Sequence, residues 1–385
     1  MEMITTTDAL IVACDKLKNS EFVTVDTEFL RETTYRPKLC LIQMAIPGYD
    51  VIVDPLVEDL DLTAFFELMS NESVVKVFHA ARQDVEIIHN LASIIPNPLF
   101  DSQVAAMVCG FGDSISYDQL VFRITGHRVD KSSRFTDWTL RPLSEKQLAY
   151  AAADVTHLCD VYMSLKANLE EQERSSWVSE EMAILTSVDT YHIKPENAWK
   201  RMKLRVRKPI ELAVMKELAA WREAEAQRRD VPRGRVIKDD AIYEVAAQQP
   251  SSTNALGRLR TIPKGFEKSR TAESILAAVQ RAMAIPKEDL PAIPRGRVSP
   301  EGSGAVVDLL KVLLKMTSER HDVAAKVIAT VDDLEQIACD DNADIAALKG
   351  WRRQLFGDAA LSIKRGEMGL KIKGKRVVAT KSDDD

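Results

Sequence analysis

Cysteine is sparse in this 385-residue chain, and what there is stands alone. Cys14, Cys40, Cys109, Cys159 and Cys339 never fall at C-x-x-C spacing, which excludes a zinc knuckle and a disulfide framework of paired cysteines. Their apolar neighbours mark them as reduced, buried thiols of a cytoplasmic protein. Long hydrophobic runs are also missing: none approaches the roughly 20 residues that span a bilayer, so no membrane partner is expected. The opening stretch MEMITTTDAL has no basic segment ahead of an apolar core, and no secretory signal is expected. Nothing near the termini reads as a lipidation motif. A G-x4-G-K-[ST] phosphate loop is absent, which argues against an attached nucleotide-driven motor of that type.

Net positive charge is lacking as well, at −6 overall, but its distribution says more than its sum. Residues 1–170 hold 14 Lys+Arg against 25 Asp+Glu, residues 195–300 hold 22 against 13, and residues 301–385 hold 14 against 15. An acidic module is followed by a basic one. Carboxylate-rich sites hold divalent cations, and basic modules hold phosphate backbones.

Along the first 170 residues strand and helix patterns alternate. Phe22 to Glu28 alternates with period two, Leu39–Ala45 and Val51–Val53 are further strands, and Pro47-Gly48-Tyr49-Asp50 between them predicts a hairpin turn. A helix over Leu62–Met69, a strand over Val74–Phe78, a helix over Ala81–Leu91, a short strand at Leu99-Phe100 and a helix over Ser102–Val108 follow. A meander followed by alternating helices and strands indicates a sheet with helices packed on it. Residues 126–143 read as a loop, and Ser144-Glu-Lys-Gln147 fits a capping box opening a long helix. After about residue 195 strand signals nearly vanish. Helices are expected over Ile210–Arg228 and Asp239–Gln248, Pro286, Pro291, Pro294 and Pro300 mark a linker, and a second helical region runs from about Gly304 to Arg365. Arg235–Ala246 weakly echoes Lys326–Ala338 with one inserted residue, which suggests two related helical modules. The basic stretch Lys371–Arg376 and the end Asp383–Asp385 read as a tail, the end disordered.

Three local signals carry chemistry. Asp26 and Glu28 stand two apart on a predicted strand, so they share a face. Two adjacent carboxylates on an apolar strand are costly unless a cation neutralises them, and Mg²⁺ or Mn²⁺ suits oxygen ligands. Asp84 follows the strand Val74–Phe78, where layered sheets often place sites; it also fits a first-turn acid favoured by the helix dipole. Tyr150 and Asp154 stand four apart on a predicted helix among small residues. Each signal alone is common in structural settings.

In combination they resemble the three motifs of the DEDD exonuclease superfamily, tyrosine subtype. The surrounding residues resemble the ribonuclease D family: Val25-Asp-Thr-Glu-Phe29, Phe78-His-Ala-Ala-Arg-Gln-Asp84, Phe100-Asp-Ser-Gln103, Asp137-Trp-Thr-Leu-Arg-Pro-Leu143 and Tyr150-Ala-Ala-Ala-Asp154. The basic segment is similar to the HRDC domain at Trp221-Arg222, Asp230, Pro232, Asp239, Ile242 and Pro250. The resemblance implies a ribonuclease H-like α/β exonuclease domain followed by two all-α HRDC-type domains. The expected division is an exonuclease domain at 1–170, a connector at 171–206, HRDC at 207–287, a linker at 288–303, a second HRDC-like domain at 304–370 and a tail at 371–385.

The resemblance also implies metal-dependent 3′→5′ hydrolysis of RNA to nucleoside 5′-monophosphates with two divalent ions, Mg²⁺ or Mn²⁺. Asp26 would bridge both ions, Glu28 and Asp154 would complete the water-activating site, Asp84 would hold the second ion, and Tyr150 would orient water. Thr27 and Phe29 would contact the terminal nucleotide. His79 and Gln83 either face the scissile phosphate or cap their helix. Arg141 either meets a substrate phosphate or pins the 126–143 loop. Asp101 is more consistent with an N-cap than with a role behind the ligands, and Lys131 and Arg134 are loop cations that meet RNA or solvent. Lys200–Lys208 reads as a phosphate-backbone contact. The implied substrates are tRNA precursors with 3′ extensions, with no protein partner evident. A DNA 3′→5′ exonuclease and a non-catalytic RNA-binding scaffold are the alternatives.

Overall fold

Strand β2 (Phe22–Leu30) is the element around which the first domain is arranged. The computed structural model describes residues 2–134, 136–294 and 302–381. In it β2, β3 (Lys38–Ile46) and β4 (Tyr49–Val53) form the antiparallel meander that the alternation implies. Pro47-Gly48 closes the β3–β4 turn, with Gly48 at φ +79°, the left-handed value a proline–glycine turn requires. β1 (Glu2–Ile4) adds parallel to β4, and β5 (Val75–Phe78) and β6 (Leu99–Asp101) add parallel on the other side of β2. The mixed six-stranded sheet has the order β1-β4-β3-β2-β5-β6. Helices α1 (Thr7–Leu17), α2 (Thr63–Ser70), α3 (Arg82–Ala92), α4 (Ser102–Val108) and α5 (Tyr117–Thr125) connect or flank these strands.

One long helix crosses the face of the sheet. α6 (Glu145–Glu171) opens on the expected capping box, Ser144 accepting from the Gln147 amide. Its 27 residues extend about 40 Å. Ala151, Val155, Leu158, Cys159 and Tyr162 recur at three- and four-residue steps and are buried. Thr24 of β2 fixes the crossing: its hydroxyl lies 2.9 Å from the Val155 carbonyl and 3.0 Å from that of Ala45. α7 (Ser175–Leu185) then leads to a 3₁₀ segment, Pro195–Arg201.

The helical half consists of two parts built alike. α8 (Pro209–Arg229) ends at Asp230 in the left-handed conformation, φ 48°, followed by a four-residue helix α9 (Arg233–Val236), extended Ile237, and α10 (Asp239–Gln248). α11 (Thr253–Gly257) and α12 (Arg270–Met283) complete this part. Further on, α13 (Ser303–His321) ends at left-handed Asp322, φ 51°, followed by a four-residue helix α14 (Ala325–Ile328), extended Ala329, and α15 (Val331–Cys339). The sequence echo is therefore a repeated backbone path. α16 (Gly350–Arg352), a π-helical turn and α17 (Asp358–Lys364) follow.

The two parts attach differently. α8–α12 enclose an apolar core of their own, whereas Val307, Leu310, Trp351 and Phe356 join the core of the sheet domain. The stretch expected as a tail contains a hairpin instead. β7 (Met368–Lys373) pairs with β8 (Arg376–Lys381) around Gly374-Lys375, Gly374 at φ +65°. Leu370 and Ile372 alternating with lysine on β7 and the adjacent Val377 and Val378 on β8 carry the strand signal, which the surrounding lysines dilute. The linker residues 295–301 and the acidic end from residue 382 lie outside the described residues.

Candidate active site

β2 outruns its parallel neighbour. Its pairing with β5 ends at Thr24 opposite Val77, while its pairing with β3 continues to Leu30, with a bulge between Glu28 and Phe29. Asp26 and Glu28 thus lie where the sheet opens, on the face that α6 crosses. One carboxylate oxygen each from Asp26, Glu28 and Asp154 lie within 4.8 Å of one another. Asp84, in the first turn of α3, stands outside that triplet and is buried; Thr27 donates to its Oδ1 at 2.5 Å. Tyr150, one turn before Asp154, donates its hydroxyl to the Asp154 carboxylate.

The electrostatics follow from burying like charges together. Burial first, then the Asp154 charge, holds Asp26 well above the usual carboxylate range. Burial, then Asp26, does the same for Asp84, against the opposing Thr27 hydrogen bond. Glu28 is pushed up to about 10 by burial and by Asp26, Asp154 and Asp84. Asp154 is pushed up to about 7 by burial, opposed by the Tyr150 hydrogen bond and by Arg134. The Tyr150 hydroxyl is raised by burial and by the same carboxylates, so it stays protonated at neutral pH. An all-oxygen donor set that resists ionising together suits a hard divalent cation, whose charge would reverse each of these shifts.

A cavity of about 400 Å³ opens on Asp26, Tyr150 and Asp154, and His79, Tyr117, Lys131 and Arg134 line it too. Its wall at 79–81 is held by one residue. Asp101 caps α4 by accepting from the Gln103 and Val104 amides, and it also accepts from the amides of Ala80 and Ala81. These bonds hold Ala80 at φ +60°, a conformation a non-glycine residue adopts only under constraint. His79 sets Nδ1 2.9 Å from the Ser102 hydroxyl and packs edge-on against Tyr117; burial lowers its pKa.

Other expected substrate contacts are not gathered here. Gln83 is exposed on α3 and does not line the cavity. Phe29 is half-buried and packs on the apolar core. Arg141 pins the loop: Nε and Nη2 bind Asp54, Nη1 meets the carbonyls of Trp138 and Leu140, and Nη2 also meets that of Cys40. All five of its N–H donors are thereby used, which leaves none for a substrate phosphate. Two residues went unread in the sequence. Tyr117 donates to the Ala153 carbonyl at 3.0 Å on the cavity wall. Gln43, fully buried, pairs across the strands with Asp26. Nothing in their local sequence marks either one; only the packing of α5 and the strand register reveal them.

Fold and cluster together define a nuclease module joined to helical appendages, and comparison agrees. Residues 1–170 match the model of the 3′-5′ exonuclease family, and residues 211–279 match the HRDC domain. Ribonuclease D of Nitrobacter hamburgensis is 60% identical over 98% of this chain and 99% of its own length. That of Bartonella henselae is 49% identical over 98% and 93%. Among solved structures, Escherichia coli RNase D, an exoribonuclease involved in structured RNA processing, superposes with a TM-score of 0.82 at 29% identity, covering 94% of this chain and 98% of its own. The chain belongs to the ribonuclease D family and is a 3′→5′ exoribonuclease.

Proposed function

We propose that Asp26, Glu28, Asp84 and Asp154 hold two divalent ions, Mg²⁺ or Mn²⁺, at which the terminal phosphodiester of RNA is hydrolysed to release nucleoside 5′-monophosphates. The observation that carries this reading is the triplet of carboxylates within 4.8 Å, each pushed toward its protonated form in the metal-free protein. Bound ions would supply positive charge for the attacking and leaving oxygens and an acidified water. Asp26, central to the electrostatics, would hold the ions together with Glu28, Asp154 and Asp84, the last oriented by Thr27. Tyr150 keeps its proton and therefore positions water by hydrogen bonding rather than by acting as a base. His79 and Thr27 bound the site from the 79–81 turn and from β2.

α8–α12, together with the cationic stretch Lys200–Lys208, hold the phosphate backbone without reading sequence. α13–α17 form a second, diverged HRDC-like domain, a reading supported by the repeated left-handed aspartate and four-residue helix. The substrates are tRNA precursors and similar structured RNAs with 3′ extensions, processed in the cytoplasm, where the five free cysteines stay reduced. The test is digestion of 5′-labelled 3′-extended tRNA beside an unstructured oligomer and a matched DNA, with Mn²⁺ or Mg²⁺. Stepwise shortening of RNA that Asp26→Asn and Asp154→Asn each abolish is expected. Undiminished activity in either variant would overturn the site, and a strong preference for DNA would overturn the substrate.

A further inference from the structure

A second cavity, of about 660 Å³, adjoins the first and shares Asp118, Val129 and Lys131 with it. Gln119, Phe122, Arg123, Arg128 and Asp130 complete its lining, so it is built from the outer face of α5 and the segment that follows. Three properties of this groove need explaining together. Phe122 is 49% exposed although α5 has an apolar inner face available to it. Arg128 holds its guanidinium 5.6 Å from the Phe122 ring centre, so an aromatic face and a flat cation stand side by side at the surface. The local charges do not cancel. Lys131 is paired with Asp118 at 2.7 Å, and Asp130 is taken up by Ser132, but Arg123 and Arg128 have no carboxylate partner among the described residues.

A lone exposed phenylalanine or an unpaired surface arginine is ordinary. Both in one groove, continuous with the cavity that holds Asp26 and Asp154, are not explained by solvation. A flat apolar ring suits a nucleobase, and unpaired guanidinium groups suit phosphate. The groove meets the carboxylate cavity at Asp118, Val129 and Lys131, so a strand whose 3′ end occupies the carboxylates can continue into it. We infer that this groove is an upstream RNA subsite: Phe122 with Arg128 stacks a base upstream of the two 3′-terminal nucleotides, and Arg123 and Arg128 hold the phosphates flanking it. The inference rests on the exonuclease reading and adds to it a place where substrate length is sensed. A dinucleotide can fill the carboxylate cavity without reaching the groove, whereas a longer strand occupies both.

The test uses the full chain and the variants Phe122→Ala, Phe122→Leu and the double variant Phe122→Ala with Arg128→Gln, all at solvent-exposed positions. Binding of a fluorescent 12-nucleotide oligoadenylate is measured by anisotropy without divalent metal, and KM and kcat are measured with Mn²⁺ on the 12-mer and on a 5′-labelled diadenylate. Expected is a rise of about five- to tenfold in the 12-mer's Kd and KM for Phe122→Ala, larger in the double variant, in line with the loss of one stacked base. Phe122→Leu, which has no ring to stack, should show most of the same rise, and kcat/KM on the dinucleotide should not change. Unchanged 12-mer affinity in the double variant would overturn the inference, and so would an equal loss on the dinucleotide. Failure of the exonuclease reading is visible separately, as absence of dinucleotide hydrolysis by the unmodified chain, because the anisotropy measurement does not depend on cutting.

Discussion

In its metal-free form this protein should be more stable in mild acid than at slightly basic pH on account of its own site, and Asp154 sets the size of the effect. Its carboxyl rises from 3.8 to about 7 on folding, and it is only 9% exposed, so solvent does little to relieve the burial. A folded pKa above the unfolded one means that the folded protein binds the proton more tightly. Stability is then full below about pH 4 and is lost as pH rises toward 7. At 1.36 kcal/mol per unit, passing from pH 5 to pH 8 removes about 2–3 kcal/mol through this group alone. Glu28, pushed up to about 10, acts in the same direction. His79 and His157, both held low by burial, act in the opposite direction near pH 5–6. Comparison with Asp154→Asn cancels the histidines. Urea unfolding with chelator present should find the variant more stable than the parent by about 2–3 kcal/mol more at pH 8 than at pH 5. Adding Mn²⁺ at pH 8 should reverse the order, because only the parent gains a ligand. A gap between parent and variant that is independent of pH, or a variant less stable at pH 8 without metal, would refute the electrostatic account of the cluster.

Tyr150→Phe removes the hydroxyl proposed to orient water and keeps the ring, so kcat should fall roughly 10- to 100-fold with KM little changed, measured on oligoadenylate. Arg141→Gln leaves Asp54, 6% exposed, without its cation; stability should drop by about 3 kcal/mol by urea titration, while KM for RNA stays within a factor of two or so at a temperature where the variant is folded. Tyr35→Phe removes a hydroxyl that donates to buried Glu223 and accepts from Gln227 and Arg233; a loss of about 1 kcal/mol and faster proteolysis between β2 and β3 should follow.

What could be read from the sequence was whatever is encoded locally. Period two in Phe22–Glu28, the Pro47-Gly48 turn and the Ser144–Gln147 capping box each specify a conformation through neighbours in the chain, and each appears as expected. Asp26 with Glu28 and Tyr150 with Asp154 share faces for the same reason. Partnership between distant segments was not legible. Arg141 and Asp54 are 87 positions apart, and nothing near Arg141 distinguishes a guanidinium that pins a loop from one awaiting phosphate. Asp101 reads as an N-cap, but its hold on Ala80 and Ala81 comes from the β5–β6 register, a tertiary fact. The β7–β8 hairpin was obscured because Lys371, Lys373 and Lys375 dominate its composition, while only Ile372, Val377, Val378 and Thr380 are β-branched.

The repeated helical path also has an energetic consequence. At the first copy, the left-handed Asp230 accepts the Arg36 amide from the β2–β3 loop, and further hydrogen bonds bridge the joint from Tyr35 and Arg36 on one side to Glu223, Gln227 and Arg233 on the other. At the second copy, the left-handed Asp322 abuts Gly110, where a Cβ would lie 2.4 Å from its carboxylate carbon, and the Ala324 amide bonds the Met107 carbonyl at 2.8 Å. Around that joint Trp177 stacks on Trp351 at 4.3 Å, and the apolar core runs unbroken from the sheet into α13 and α15. Polar joints open at lower free energy than shared cores. Native-state hydrogen exchange should therefore find α8–α12 opening as a unit below the global unfolding free energy, with α13 and α15 protected together with β2 and β3. Such a hinge would let the basic module move over RNA while the carboxylate cluster keeps its geometry. Exchange of α13 ahead of α8 would contradict it, because the unit with the larger shared core would then be the looser one.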